Sequence, residues 1–301
     1  MVTPVGARPV VPAITAPRTT SFRSSARVRR NLEAWIVRLV IYAFLLLVLF
    51  PVIYVVLYSL KGGGSSLFSR TLIPQTLTLD HYERLIRGGR FGRWVLNSFL
   101  LGLASGAIQV FFATMAGYAF SRMRFKGRRY GVLFLLIIQM LPANMALVAY
   151  FYLLRQAHLY NTRIGLILIF GLGGSALAVW LMKNFMDSIP KDLDEAAYLD
   201  GATPWQTFWT VIFPLVQPML VAQFIFGFIG VYNEYILTSA LISTPDKYPL
   251  GVGVRTFATQ YNTQWTLFCA AAVLGSLPIL LVFFLAQRLL VEGLTKGAVK
   301  G

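Results

Sequence analysis

Long runs without charged side chains alternate with short polar segments along the whole chain. The stretches free of Asp, Glu, Lys, Arg and His that could cross a membrane are 39–60, 94–121, 130–154, 164–182, 201–233 and 256–287. A helix needs roughly 20 apolar residues to cross the hydrocarbon core of a membrane. In lipid a helix also pairs its own backbone amides and carbonyls. The pattern therefore predicts an all-α polytopic membrane protein with six transmembrane helices.

The expected spans follow these runs, with polar flanks trimmed or added. They cover residues 36–60, 94–119, 131–154, 164–184, 216–240 and 266–288. Pro51 and Pro142 fall inside spans one and three, where neighbouring groups can satisfy the carbonyls that a proline leaves free. Pro214 and Pro218 are expected to bend the entry into span five. Residues 78–87 are predicted to form a short surface helix beside the membrane.

The basic charge of the chain reports on topology. There are 27 Lys and Arg against 11 Asp and Glu, for a net charge of +16. Clusters at 23–30 and 122–129 flank spans, which is typical of cytoplasmic loops and predicts that the N- and C-termini are cytoplasmic. The loop 61–93, which this topology places outside, is also basic, although Asp80 and Glu83 offset part of its charge. Because the basic residues flank spans, we expect no nucleic-acid partner.

Two further features bear on the class of protein. Residues 1–30 are rich in Pro, Thr, Ser and Arg, which predicts a disordered basic cytoplasmic tail. The single cysteine, Cys269, lies in an apolar run, so no disulfide can form within the chain and a small buried residue is expected.

Acidic residues are concentrated in one place, since five of the 11 lie at 187–200. Pro190 cannot continue the preceding helix, and Asp192 or Asp194 is expected to cap a new one. Gly201 stands where a left-handed residue ends a helix. The pair Thr203–Pro204 resembles a cap followed by proline at the first helical position. The sequence thus predicts a short helix that is turned sharply at both ends.

The charge of this short helix bears on what it contacts. A helix resting on anionic lipid is usually basic, whereas this one is acidic. Ala196 and Ala197 also give it a small face, which suits docking into a groove of another protein. An amphipathic helix lying on the bilayer remains the alternative.

The spacing around this helix resembles a known family pattern. Glu195-Ala196-Ala197, then three residues, Gly201, nine residues and Val211-Ile212-Phe213-Pro214 is similar to the EAA loop of ABC importer permeases. Val211 and Phe213 depart from the I-x-L-P ending of that loop. The stretches 118–128, 173–180, 199–206 and 286–301 also resemble the smaller permease subunits of maltose and maltodextrin transporters.

This resemblance implies a fold and an organisation. The fold is that of a type I ABC importer permease, with a first transmembrane helix and external loop at 31–92. A permease domain at 93–286 follows, with a coupling helix at 191–206, and a cytoplasmic tail at 287–301. The residues implied to meet an ATPase are Asp194, Glu195, Ala196, Ala197, Leu199, Asp200, Gly201, Ala202 and Pro204, together with Gly293, Leu294, Thr295, Lys296 and Gly297 of the tail.

The implied function is half of the translocation pathway of an ATP-driven sugar importer in the bacterial plasma membrane. Maltose, maltodextrin or trehalose fits the resemblance best, and another sugar or a glycerol phosphate remains open. The implied partners are a second, larger permease, an ATPase dimer, an external sugar-binding protein, membrane lipid and the sugar. No cofactor or metal is expected in this chain, because ATP and Mg would be bound by the ATPase.

Other functions are less well supported by the residues. The polar candidates for lining a pathway are Asn97, Asn144, Asn233 and Glu234, although helix-bridging hydrogen bonds are the more common role of such residues. An ion-coupled secondary transporter usually needs charge within the membrane, and only Glu234 is a candidate.

The chain carries no G-x-x-x-x-G-K-S/T phosphate loop. His81 and His158 lack a nucleophile and carboxylate pattern, so we expect a transport subunit and not an enzyme.

Overall fold

The chain is mainly helical in a computed structural model that describes residues 22–62, 74, 76–258 and 263–298. For 22–30, 143 and 288–298 the description is of the backbone. No β-strand occurs within these ranges. The α-helices are α1 Phe22–Ser59, α2 Asp80–Arg87, α3 Phe91–Arg122, α4 Arg128–Gln139, α5 Leu147–Gln156, α6 Arg163–Gly173, α7 Ser175–Asp187, α8 Asp192–Leu199, α9 Pro204–Thr207, α10 Phe213–Tyr232, α11 Ile236–Leu241, α12 Leu250–Arg255 and α13 Trp265–Ala298.

Several of these helices are long and apolar enough to cross a membrane. Single helical segments of this kind are Asn31–Ser59, Phe91–Arg122, Pro204–Tyr232 and Trp265–Gln287. The pairs α4–α5 and α6–α7 qualify only as broken spans, since each is bent by more than 40° at a short break. By length and composition the described residues thus contain four to six spans, and the predicted six is the upper value.

Spans three and four are broken at residues that disfavour a continuous helix, proline in one and glycine in the other. α4 ends at Gln139, and a 3-10 turn at Ala143–Ala146 leads into α5. Pro142 lies in this break, where it lacks an amide hydrogen and disfavours helical geometry at the residue before it. α6 and α7 meet at Gly174 after Gly173, and glycine weakens a helix by about 1 kcal/mol relative to alanine. Predicted spans three and four therefore each consist of two helices, α4 with α5 and α6 with α7.

Span five differs most from the expected bounds of 216–240. It begins at Pro204 and ends at Tyr232, and residues 236–241 form the separate helix α11. The chain passes through Pro214 and Pro218 within α10, after a π-helical turn at Phe208–Ile212. Pro214 has no amide hydrogen to give to the preceding turn, and a π-helical turn is one way to absorb such a local mismatch.

The two ends of the chain extend further as helices than expected. α1 begins at Phe22, inside the predicted tail, and residues 1–21 lie outside the described residues. α13 continues to Ala298, ten residues beyond the expected end of span six. α2 confirms the surface helix predicted at 78–87. The chain divides into two units, Met1–Tyr54 and Val55–Gly301, and all features below belong to the second.

The core of the second unit is built around α3, which packs against α6, α7 and α10. Near the end of α3 that carries Arg122, one buried cluster joins Tyr118 of α3 to three other elements. Its fully buried members are Met182 and Met186 of α7, Phe208 and Ile212 of the π-helical turn, and Val216 of α10. This cluster fixes the ends of the helices between which the acidic segment runs.

Candidate functional site

The acidic segment forms α8, in agreement with the predicted short helix. Asp192, Asp194 and Glu195 all lie in its first turn, close to the positive end of the helix dipole. The expected side-chain cap is absent, however, since Lys191 occupies the cap position and no side chain bonds there. The prediction that Asp192 or Asp194 caps the helix is therefore wrong. We call residues 191–206 the coupling segment.

The end of α8 is set by Gly201. Its φ of +84° lies in the left-handed region, as predicted, and its amide donates to the Tyr198 carbonyl over 3.0 Å. Ala202 then donates to the Ala197 carbonyl over 2.9 Å. A Cβ at position 201 would meet no atom within 4 Å. Glycine is favoured here by backbone conformation, and not by lack of space.

The start of α9 carries a complete capping box. The Gln206 amide donates to the Thr203 hydroxyl over 3.3 Å, and the Thr203 amide donates to Gln206 Oε1 over 2.8 Å. Pro204 occupies the first turn, where a backbone amide would have no partner within the helix, so its missing amide hydrogen costs no hydrogen bond. This confirms the predicted cap and fixes the direction in which the chain leaves α8.

Replacing Thr203 by alanine is expected to loosen this turn. Loss of an N-cap hydroxyl typically costs about 1 kcal/mol, which corresponds to about fivefold faster opening of the first turn. Hydrogen exchange of the Gln206 and Thr207 amides in the purified full chain measures this. Thr203→Ser keeps the hydroxyl and serves as the control, and equal exchange in the two variants would contradict the assigned cap.

One face of α8 is buried by an ion pair with α3. Arg122 Nε lies 2.9 Å from Asp194 Oδ2, and the two side chains are only 6% and 8% exposed. Burial raises the pKa of the Asp194 carboxyl, and the Arg122 guanidinium acts against that rise. A pair buried in this way gives up much of its attraction to desolvation. The pair therefore fixes the position of α8 against α3 more than it adds to the net free energy of unfolding.

The other face of the coupling segment is exposed. It presents the carboxylate of Glu195 and the small side chain of Ala196. Large apolar groups accompany them, notably Leu199, which is 90% exposed, together with Trp205. An exposed apolar surface around an acidic group is typical of a protein contact. It suits a partner that offers an apolar groove with a basic or polar rim.

Further hydrogen bonds tie the coupling segment, and the residues just before it, to the end of α3. The Tyr118 hydroxyl donates to the Pro204 carbonyl over 3.2 Å, and Arg122 donates to the Ile189 carbonyl over 2.9 Å. The Ser121 hydroxyl donates to Asp187 Oδ1 over 2.6 Å, beside an ion pair of Asp187 with Lys183. Bonds of this kind hold both ends of α8 against one helix.

The predicted pathway residues have different local surroundings. Asn97 is buried and donates from its amide to the carbonyls of Asp246 and Tyr248, over 3.0 Å each. Asn144 is exposed in the 3-10 turn between α4 and α5. Asn233 is exposed just after α10.

Glu234 has a local structural role that the sequence did not reveal. Its carboxylate oxygens accept from the amides of Leu237 and Thr238, over 2.8 and 3.0 Å. Two backbone amides at the start of α11 are satisfied in this way. This explains why a carboxylate stands beside an apolar run.

The predicted tail contacts, residues 293–297, lie in the last turns of α13. Their backbone is helical, so the predicted tail from 287 continues α13 as far as Ala298.

Comparison with known proteins places the chain. The family described as binding-protein-dependent transport system inner membrane component matches residues 109–296. The maltose/maltodextrin transport system permease protein MalG of Vibrio parahaemolyticus is 41% identical over 288 residues, covering 89% of this chain and 96% of that protein. The galactooligosaccharides transport system permease protein GanQ of Bacillus subtilis is 35% identical, covering 91% and 98%.

A solved structure supports the fold. A chain from the crystal structure of a bacterial ABC transporter involved in the import of the acidic polysaccharide alginate superposes with a TM-score of 0.72 at 23% identity. The match covers 92% of this chain and 99% of that one. The family match over more than half of its length and the 41% identity to MalG show that the chain belongs to the binding-protein-dependent transport system inner membrane components, the permeases of ABC importers.

Proposed function

We propose that this chain is the permease subunit of an ATP-driven importer of oligosaccharides of the maltose, maltodextrin or trehalose class. The 41% identity to a permease named for maltose and maltodextrin supports this class. The 35% identity to a permease named for galactooligosaccharides makes another sugar the alternative. A glycerol phosphate is a second alternative.

The observation that carries the proposal is the two-sided coupling segment. One side is tied to α3 through Arg122 and Tyr118, while the other exposes Glu195, Leu199 and Trp205. Such an element can receive a force from a partner protein and pass it to the membrane helices. A cytoplasmic ATPase is the partner that an importer of this family needs.

In this proposal the chain spans the bacterial plasma membrane six times, with both termini in the cytoplasm and each bent pair counted as one span. A second, larger permease completes the pathway, and an external sugar-binding protein delivers the sugar. ATP and Mg are bound by an ATPase dimer, and this chain contributes no cofactor site and no catalytic residue. Exposed apolar side chains such as Phe226 and Leu285 suit contact with lipid or the second permease. No nucleic acid takes part.

The mechanism follows from the connections of α8. Closure of the ATPase dimer on ATP displaces the coupling segment, with Glu195 facing a basic or polar group of the ATPase. Because α3 packs on α7 and α10, its movement rocks the bundle between inward-open and outward-open states. Residues 293–297 at the end of α13 are further ATPase contacts. Asn144 and Asn233 remain pathway candidates, with Asn97 and Glu234 holding the helices that line it.

Uptake by the reconstituted complex tests the proposal. Proteoliposomes containing this chain, its second permease and its ATPase are expected to take up labelled maltotriose, trehalose or galactooligosaccharide only with ATP inside and a binding protein outside. Uptake driven by a proton or sodium gradient without ATP would contradict it and favour an ion-coupled transporter. Uptake of labelled glycerol 3-phosphate, and not of the sugars, in the same assay would favour the glycerol phosphate alternative.

A further inference from the structure

One guanidinium holds two points of the chain beside the coupling segment. Arg122, the last residue of α3, pairs through Nε with Asp194 over 2.9 Å. It also donates from Nη2 to the carbonyl of Ile189 over 2.9 Å. Ile189 lies in the connector between α7 and α8, and Asp194 lies within α8. The planar, multi-donor head of arginine makes such a double contact possible, whereas lysine is a single point charge.

The environment of this pair sets it apart from the exposed pairs of the described residues. Arg93 and Asp246 are almost equally close, at 3.0 Å, but their side chains are 63% and 62% exposed. Water screens such a pair and lets it open freely. Arg122 and Asp194 are shielded, so separating them would leave a buried charge without its partner. Opening the buried pair is therefore more costly than opening the exposed one.

Other charged and hydroxyl groups surround the pair without replacing it. Lys191 and Glu195 lie on the same segment as Asp194 and contribute opposite charges to its surroundings. Asp187 at the end of α7 is committed to Ser121 and Lys183. In the described part of the chain, Arg122 is thus the cation placed to bind Asp194 directly.

A turn of the chain flanks α8 on each side. On one side lie the residues around Pro190, and on the other the left-handed Gly201. A displacement of α8 would be absorbed by these turns if nothing bound the helix to the bundle. The ion pair joins the first turn of α8 directly to α3. This link does not pass through the connector or through α7, whose buried methionines pack nearby.

We propose that Arg122 and Asp194 are positioning residues that clamp α8 to the end of α3, so that displacement of α8 by a partner moves the membrane helices. This rests on the proposed function, because the displacement is supplied by the ATPase. Neither residue touches sugar or nucleotide, and both act through the position of α8.

The test compares variants in the reconstituted complex, after correction for the amount of assembled complex. Asp194→Asn is expected to keep ATP hydrolysis within about twofold of the wild type, while sugar imported per ATP falls at least about tenfold because a buried charge loses its partner. Arg122→Lys keeps the charge but not both contacts, and an intermediate loss is expected. Asp246→Asn, which opens an exposed pair of similar length, is the matched control and leaves the ratio unchanged.

Hydrogen exchange in the same complexes gives a second readout that does not depend on transport. Amides of 192–199 are expected to exchange at least about fivefold faster in Asp194→Asn than in the wild type, because α8 is released from α3. In Asp246→Asn they stay at the wild-type rate. If the wild-type complex imports no sugar, the proposed function fails, while this comparison still decides whether the clamp exists.

Unchanged exchange, or an unchanged ratio of sugar to ATP in assembled Asp194→Asn complexes, would overturn the proposal. A smaller amount of assembled complex, with wild-type exchange and a wild-type ratio of sugar to ATP in each complex, would show a purely structural role. That result would also overturn the proposal. If Asp194→Asn does not assemble, Arg122→Met with Asp194→Leu removes both charges and is expected to assemble. That double variant is then expected to show the same low ratio, and a wild-type ratio would contradict the clamp.

Discussion

Sugar uptake is expected to fall by at least about 100-fold when Glu195→Lys and Gly201→Asp are combined, a loss equal to about 2.7 kcal/mol of coupling. The first change reverses the charge of an exposed group on the face proposed to meet the ATPase. The second puts a side chain on a residue with φ of +84° and adds negative charge at the end of α8. Glu195 is exposed and a Cβ at Gly201 would meet no atom within 4 Å, so insertion is expected to be normal. ATP-driven uptake in membranes with equal amounts of the chain is the measurement.

The helix α2 offers a matched control for this variant. Like α8 it has eight residues, an exposed glutamate at Glu83 and a following left-handed glycine, Gly89, with φ of +72°. A Cβ at Gly89, as at Gly201, would meet no atom within 4 Å. Glu83→Lys with Gly89→Asp therefore repeats the same chemical changes on a helix with no proposed coupling role. Wild-type uptake is expected there, and wild-type uptake in the α8 variant would contradict the assignment of the coupling segment.

Gly253→Ala is expected to destabilise the folded chain by about 3 kcal/mol, the upper end of the usual cost of overpacking. A Cβ at Gly253 would stand 2.1 Å from Cδ2 of Trp94. The indole cannot simply move aside, because its Nε1 donates to the Pro245 carbonyl over 3.1 Å and its ring packs on Phe257. Relief of the clash therefore separates α12 from α3. A lower midpoint of thermal unfolding of the purified chain in detergent is the readout.

Gly251→Ala in the same helix is the control. A Cβ at Gly251 would meet its nearest atoms at 3.6 and 3.7 Å, which is ordinary contact. Alanine also favours a helix over glycine by about 1 kcal/mol, so an unchanged or slightly higher midpoint is expected. Equal midpoints for the two variants would contradict the close packing of α12 on Trp94.

The short-range features of the coupling segment were predictable because each depends on neighbouring residues. A left-handed glycine at Gly201 and the cap at Thr203 follow from spacing along the chain, and both are confirmed. The apolar runs likewise predict where the chain can cross a membrane. The family pattern around Glu195 then identified the segment before its geometry was known.

The features that were missed depend on distant contacts or on competition between local rules. Asp194 was expected to cap α8, but it pairs with Arg122, whose closeness follows only from the packing of α3 beside α8. Glu234 was considered as a pathway group, yet its carboxylate caps α11. An apolar run carries no information on where a helix bends within it. The breaks at Pro142 and Gly174 therefore depend on local propensity and packing, which hydropathy does not measure.

The central claim is that this chain works as half of a permease pair driven by a separate ATPase. Purification of the chain from its native membrane in mild detergent, followed by quantitative mass spectrometry of what accompanies it, tests this most directly. The account predicts one second permease and two ATPase subunits for each copy of this chain. A homo-oligomer without an ATPase would contradict it, and the coupling segment would then need another partner.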